Sequence, residues 1–176
     1  MATGIEIMHP HNTPQTIQLN DIAIDILKYH PKLLPEVAKI AYEGIGKIWI
    51  PGMQLEHAIE RYEKHLNDSS LPLTMVAFYK NTPVGICSLR TNDGIRPDLT
   101  PWLGSLVVRP EYQRLGIGKI LIDAVKQKAQ DFGFNKLFLF AFDAAGTANY
   151  YSNLGWEIIG LDSFKDHKVI VMKTMC

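Results

Sequence analysis

Two glycines stand where a helix should begin. The stretch Val107-Val108-Arg109-Pro110-Glu111-Tyr112-Gln113-Arg114-Leu115-Gly116-Ile117-Gly118-Lys119 runs from an apolar segment into an amphipathic pattern. A helix N-terminus offers unpaired N–H groups and the positive end of the helix dipole. Together they suit an anion. Glycine removes the Cβ that would hold a phosphate away from the backbone. Arg114 and Lys119 flank the pair and add positive charge. Lys119 is otherwise badly placed, because a cation in the first turn opposes the dipole. These residues predict a site for a phosphate-bearing ligand. Taken alone, Gly-X-Gly is also what a tight strand-to-helix turn that binds nothing would contain.

Two phosphate loops are set aside. A P-loop needs Gly-Lys followed by Ser or Thr and a Gly five residues before the Gly-Lys. Here Gly118-Lys119 is followed by Ile120, and position 113 is Gln. A dinucleotide fingerprint is closer, with Asp143 in the place of a ribose carboxylate. Its third Gly position is Leu121, however, and the polar insert Arg109 to Leu115 separates strand from glycine. The chain also lacks the repeated βαβ units of such a domain.

The elements that must carry this loop follow from periodicity. Trp102 to Val108 reads as a buried strand. Apolar residues at 117, 120, 121, 124, 125 and 129 predict a helix ending near Gly133. Lys136 to Phe142 is an aromatic-rich strand, and Ala145 to Leu154 a short helix closed by Gly155. Upstream, Ile22 to Leu27 is a first strand. Leu33 to Ile48 has helical spacing, stopped by Pro51-Gly52. Leu55, Ala58, Ile59, Tyr62 and Leu66 form a second helical stripe. Leu73 to Lys80 and Val84 to Arg90 predict a hairpin turning at Asn81-Thr82-Pro83. Thr91 to Pro101 is loop, and Trp156 to Leu161 and Lys168 to Lys173 form a final pair joined by Asp162 to His167. The fold class is α/β (α+β): a mixed, mostly antiparallel seven-stranded sheet with one right-handed parallel crossover and about four helices.

Bulk properties exclude more than they select. The 176 residues fit one domain, and charges balance at 18 Lys+Arg against 18 Asp+Glu. Net charge therefore gives no reason to expect nucleic acid or a membrane as partner. Cys87 and Cys176 are too few for a disulfide framework. No basic region followed by an apolar stretch opens the chain, and the apolar run Leu137 to Phe142 is too short to span a bilayer. A cytoplasmic protein is expected, with Met1 to Pro14 a flexible arm and residues 15–176 a single domain. His9 and His11 lack the company of Cys or carboxylate that a metal would need, so no metal is expected.

Gln113-Arg114-Leu115-Gly116-Ile117-Gly118 resembles the Arg/Gln-x-x-Gly-x-Gly/Ala loop of the GNAT family of N-acetyltransferases. Leu106-Val107-Val108 precedes it as that family's central strand does. Tyr151-Ser152-Asn153-Leu154-Gly155-Trp156 is similar to the family's Tyr-x-x-x-Gly-Phe segment. The element order matches from Ile22 onward. The resemblance implies acetyl-coenzyme A as donor, with its pyrophosphate on the N–H groups of Gln113, Arg114, Leu115, Gly116, Ile117 and Gly118, beside Lys119. The pantetheine arm would run along Leu106, Val107 and Val108, where the fourth and fifth strands splay. A backbone N–H near Val107 would polarise the thioester carbonyl.

A thioester is already activated, so the chemistry needs orientation of an amine rather than a metal or a protein nucleophile. The resemblance makes Tyr151 the general acid for the departing thiolate, with Tyr150 the neighbour able to take its place. Tyr151 also fits a packing stripe with Thr147, Tyr150 and Leu154. No carboxylate lies on the central strand, so the base is assigned to a water relay near Asp98, ahead of Glu111, Asp143 and His167. Ala144 stands where many members carry Asn. Acceptor recognition falls to Tyr42–Met53 and Asn92–Pro101, with Trp49 and Trp102 either lining a pocket or packing. The expected acceptor is a small-molecule amine or a peptide, and a homodimer is left open. The alternative is a non-catalytic acyl-coenzyme A-binding module, which needs the glycine loop but neither Tyr151 nor a base.

Overall fold

Seven segments pair into one sheet: β1 (Ile22–Ile26), β2 (Leu73–Tyr79), β3 (Thr82–Arg90), β4 (Trp102–Val108), β5 (Lys136–Phe142), β6 (Glu157–Phe164) and β7 (His167–Met175). Their spatial order is β1-β2-β3-β4-β5-β7-β6. Every neighbouring pair is antiparallel except β4 and β5. The helices are α1 (Leu34–Ala41), α2 (Lys47–Trp49), α3 (Leu55–Glu63), α4 (Ile117–Asp131) and α5 (Thr147–Ser152). A π turn, Tyr42–Gly46, joins α1 to α2 in one run, which makes four α-helical runs among the described residues. The computed structural model describes residues 16–142 and 146–176. The expected arm Met1–Pro14, with His9 and His11, and the positions Asp143 and Ala144 lie outside the described residues.

Period-two alternation sends successive β2 side chains to opposite faces. Leu73 and Ala77 join a core under α4 that includes Leu121, Val125 and Leu137. Val76 and Phe78 join a second core with Val37 and Ala38 of α1 and Ala58 and Tyr62 of α3. Covered on both faces, β3 is buried from Pro83 to Arg90. Among the described residues no helix is long and apolar enough to cross a membrane.

Three expectations need correction. The β2–β3 hairpin turns at Lys80-Asn81, both at positive φ, with Tyr79 facing Thr82. Pro83 lies inside β3, opposite Phe78, where the register shifts; a residue without an N–H is tolerated at such an irregularity. The helix expected over Leu33–Ile48 contains the π turn. A π turn adds one residue and rotates the downstream residues by about 100°. Ile48 is thereby 55% exposed, and Trp49 turns inward instead. Gly44 permits the close packing, since a Cβ there would collide with Val107 Cγ1. Finally, β4 is buried only from Trp102 to Gly104; Ser105 to Val108 are half-buried.

Candidate active site

The half-exposure of β4 has a geometric cause on each side. Toward β5 the register holds one pair, Trp102 with Phe138, and the Phe138 N–H donates to Pro101 O at 3.0 Å. Beyond it the strands part. Toward β3, Ile86 faces Val107 but Ser88 faces Gly104, so Cys87 alone opposes Ser105 and Leu106. This is a β-bulge, and Ser105 takes φ +51° to make it. A bulge bends its strand and re-aims its groups. The edge from Leu106 to Val108 is therefore left free beside a cavity of about 650 Å³.

That cavity lies between the parted strands. Leu103–Leu106 of β4 and Leu139–Phe142 of β5 line it, with Thr147 and Tyr151 of α5. Trp49 stacks on Phe142 (centroids 3.4 Å apart, planes 15°) and meets Phe140 and Phe164 edge-on. All four rings line the cavity. Trp102 does not: it is fully buried, and its indole N–H donates to Leu99 O at 2.7 Å. Of the two tryptophans singled out from sequence, Trp49 lines the pocket and Trp102 packs.

Tyr151 packs edge-on against Tyr150 and Trp156. Burial, then the neighbouring Cys87 and Tyr150, push its phenol above the usual tyrosine value. It is a protonated donor at neutral pH.

A charged group missed in the sequence lies beside the bulge. Arg90, ending β3, has a side chain 6% exposed. Its Nη1 donates to Asp93 Oδ1 and its Nη2 to Ser105 Oγ, each at 2.5 Å. Gly104 makes room, since a Cβ there would lie 2.5 Å from Arg90 Nη1 and 3.0 Å from Asp93 Oδ2. Burial works against the Arg90 charge, but Asp93, Tyr62 and Cys87 together offset it and hold the guanidinium's pKa above its usual value. Arg61 of α3 approaches the same Asp93 oxygen at 3.9 Å. The signal available in sequence was a lone Arg closing an otherwise apolar strand pattern. Asp98, by contrast, is outside the cavity lining. It is exposed and accepts from Arg96 at 2.9 and 2.7 Å. That pairing holds its carboxyl below its usual value.

The glycine loop sits at the far end of β4. Gln113 Nε2 donates to Val108 O at 3.0 Å and ties the loop to the strand. Arg114 and Gly116 take φ +62° and +85°, turning the chain into α4. Gly116 caps α4 without a side-chain hydrogen bond, and the Ile120 N–H is the one that reaches back to Gly116 O. The N–H groups of Ile117, Gly118 and Lys119 thus begin the helix with no side-chain cap, while the Ile117 side chain anchors the turn in the core. Leu115 packs on the same core. Lys119 does not reach over the loop; its Nζ pairs with Asp123 at 2.7 Å.

Tyr150 Oη lies 2.8 Å from where a Gly118 Cβ would be. One helix therefore places Tyr150 over the loop and Tyr151 in the cavity. Leu106, Val107, Val108 and Gln113 line a second depression with Glu36 and Lys39 of α1. Among the described residues no three His, Cys, Asp or Glu gather as a metal site would need.

A family model described as the acetyltransferase (GNAT) family matches residues 39–156. No curated protein sequence matches the chain. Among solved structures, an aminoglycoside 6'-N-acetyltransferase complexed with coenzyme A is 16% identical, with a TM-score of 0.69, covering 87% of this chain and 96% of that one. An acetyltransferase from Streptococcus agalactiae 2603 is 17% identical, with a TM-score of 0.67 and coverage of 90% and 100%. A GNAT family acetyltransferase from Elizabethkingia anophelis with acetyl-CoA bound is 17% identical, with a TM-score of 0.64 and coverage of 89% and 99%.

Proposed function

The chain belongs to the acetyltransferase (GNAT) family, and from that premise we propose that it is an N-acetyltransferase carrying an acetyl group from acetyl-coenzyme A to a primary amine. The observation that carries this reading is the bulge at Ser105–Leu106. It frees a strand edge for the pantetheine arm, between an uncapped helix N-terminus suited to pyrophosphate and a cavity that holds Tyr151. The coenzyme forms found with similar folds support the same donor.

In this reading the pyrophosphate lies on the N–H groups from Gln113 to Lys119. The thioester carbonyl meets a backbone N–H at the bulge, near Val107, which holds the developing oxyanion. The amine nitrogen bonds to the carbonyl carbon, the C–S bond breaks, and the sulfur keeps the electron pair. Tyr151 O–H donates to that thiolate. The amine's surplus proton leaves to water; no side chain is assigned to it, because Asp98 lies off the cavity and Asp93 is committed to Arg90. That commitment is also what favours the second reading, a non-catalytic acyl-coenzyme A-binding module.

Calorimetry with acetyl-coenzyme A, coenzyme A and NAD, then thiol release across an amine panel, separates the readings. The aminoglycoside acetyltransferase among the similar structures makes an aminoglycoside one arm of that panel. Coenzyme binding and amine-dependent thiol release are expected. Binding with no release on any amine favours the second reading, and binding of NAD alone overturns both.

A further inference from the structure

We propose that the acceptor is a small amine carrying a carboxylate and a large apolar or aromatic side chain, with Arg61 as the carboxylate's anchor. This rests on the acetyltransferase reading and names its substrate class. Three cations line the cavity, Arg61, Arg90 and Lys165, against one carboxylate, Asp93, among the described residues. Asp93 cannot neutralise both of its arginines. Its Oδ1 takes Arg90 at 2.5 Å, while Arg61 stays at 3.9 Å, beyond hydrogen-bond range. The Arg61 guanidinium therefore donates no hydrogen bond to any described residue, although its planar fork is suited to a carboxylate. Tyr62, 1% exposed, lines the same cavity, and its hydroxyl is also without a partner among the described residues.

The donor's phosphates are not available to satisfy these groups. The loop assigned to pyrophosphate, Gln113 to Lys119, contributes nothing to the cavity lining. An anion reaching Arg61 must come with the acceptor. One side of the wall is aromatic: Trp49, Phe140, Phe142 and Phe164 form one surface, and Gly94 closes against Phe164, where a Cβ would come within 2.9 Å of the ring. Such a wall takes an apolar side chain, and the one lining carboxylate among the described residues, Asp93, is already held by Arg90, which leaves a polyamine no free carboxylate to pair with. The cavity's size suits a small molecule.

The test compares phenylalanine, tryptophan and leucine with their decarboxylated amines and with spermidine, on the full chain. Thiol release gives kcat/KM, and calorimetry with coenzyme A present gives binding independent of turnover. Each amino acid is expected to exceed its decarboxylated partner by about tenfold or more in kcat/KM, the order of one charge-assisted hydrogen bond. Arg61→Gln should bring that ratio to within about threefold, chiefly through KM of the amino acid, whereas Arg61→Lys should restore part of it. Faster turnover of the decarboxylated amines or of spermidine, or a ratio unmoved by Arg61→Gln, overturns the proposal and leaves acetyl transfer standing. Coenzyme-dependent binding of the amino acids that Arg61→Gln weakens, with no thiol release, upholds the anion site and overturns acetyl transfer. If the amino acids are neither bound nor turned over, the proposal is overturned outright.

Discussion

Arg90 is tied to Ser105 across the β3–β4 pair, Nη2 to Oγ at 2.5 Å. Ser105 is the residue whose positive φ makes the bulge. The guanidinium's other limb takes Asp93, so a buried ion pair braces the point where β4 turns away from β5. Arg90 is thus a positioning residue for the strand edge.

Removing one partner of a buried pair leaves the other charged and unpaired, at a cost of about 3–5 kcal/mol. Arg90→Met should lower unfolding stability by up to that order, since Asp93 then keeps only Arg61, at 3.9 Å and beyond hydrogen-bond range. Arg90→Met combined with Asp93→Leu should cost markedly less than the sum of the two single changes. Denaturant unfolding of the three variants checks this; additive losses would mean the pair is not coupled.

Tyr151→Phe should lower kcat by about 10²- to 10⁴-fold and leave the coenzyme dissociation constant nearly unchanged. The usual phenol value is 10.0, and burial moves Tyr151 above it. A raised value keeps the proton on through the whole range below pH 10, so the wild-type rate should show no Tyr151-dependent alkaline fall there. A wild-type to Tyr151→Phe rate ratio that shrinks between pH 8 and pH 10 would contradict the assignment.

Gly118→Val should raise the coenzyme dissociation constant at least about tenfold, on the order of one lost charge-assisted hydrogen bond. Gly118 is not among the glycines at positive φ, and the nearest obstacle is the hydroxyl of the exposed Tyr150. The fold should therefore survive, as circular dichroism and thermal unfolding would show. An unaltered dissociation constant in a folded variant would mean the phosphate does not lie there.

His65 is buried, with Nδ1 against Thr74 Oγ1 at 2.8 Å, and Thr74 continues to Ser88 Oγ at 2.8 Å. Burial first, then the charges of Arg90 and Arg61, lower its pKa from the usual 6.5 to about 3. Below pH 6.5 the unfolded chain takes up a proton that the folded chain refuses. The His65 contribution is thus fully present above pH 6.5 and is lost as pH falls toward 3, by at most about 1.4 kcal/mol per pH unit. Urea midpoints across that window should fall with acid, and His65→Asn should flatten the slope. An equal slope in the variant would assign the acid sensitivity elsewhere.

The frame was legible where periodicity is strong. β4 and β5 fall at the expected Trp102–Val108 and Lys136–Phe142, because buried strands read as short apolar runs bounded by turn signals. The stripe of α4 was equally plain. The cavity was not. Asp93 and Asp98 share one polar loop, Thr91 to Pro101, and nothing local tells which carboxylate turns inward. Asp93 does so because Arg90 is fixed by β3 and Gly104 leaves room on β4, both non-local facts. Trp49 was visible as a residue but not as a wall, since the π turn that rotates it inward looks in sequence like uninterrupted helix.

The central claim is tested most directly by mixing the chain with acetyl-coenzyme A and an amine that supports thiol release, then measuring free thiol and N-acetylated amine together. The two should form in equal amounts, and both rates should fall together in Tyr151→Phe. Thiol formed without acetylated amine, or acetylated amine formed at the same rate in that variant, would contradict it.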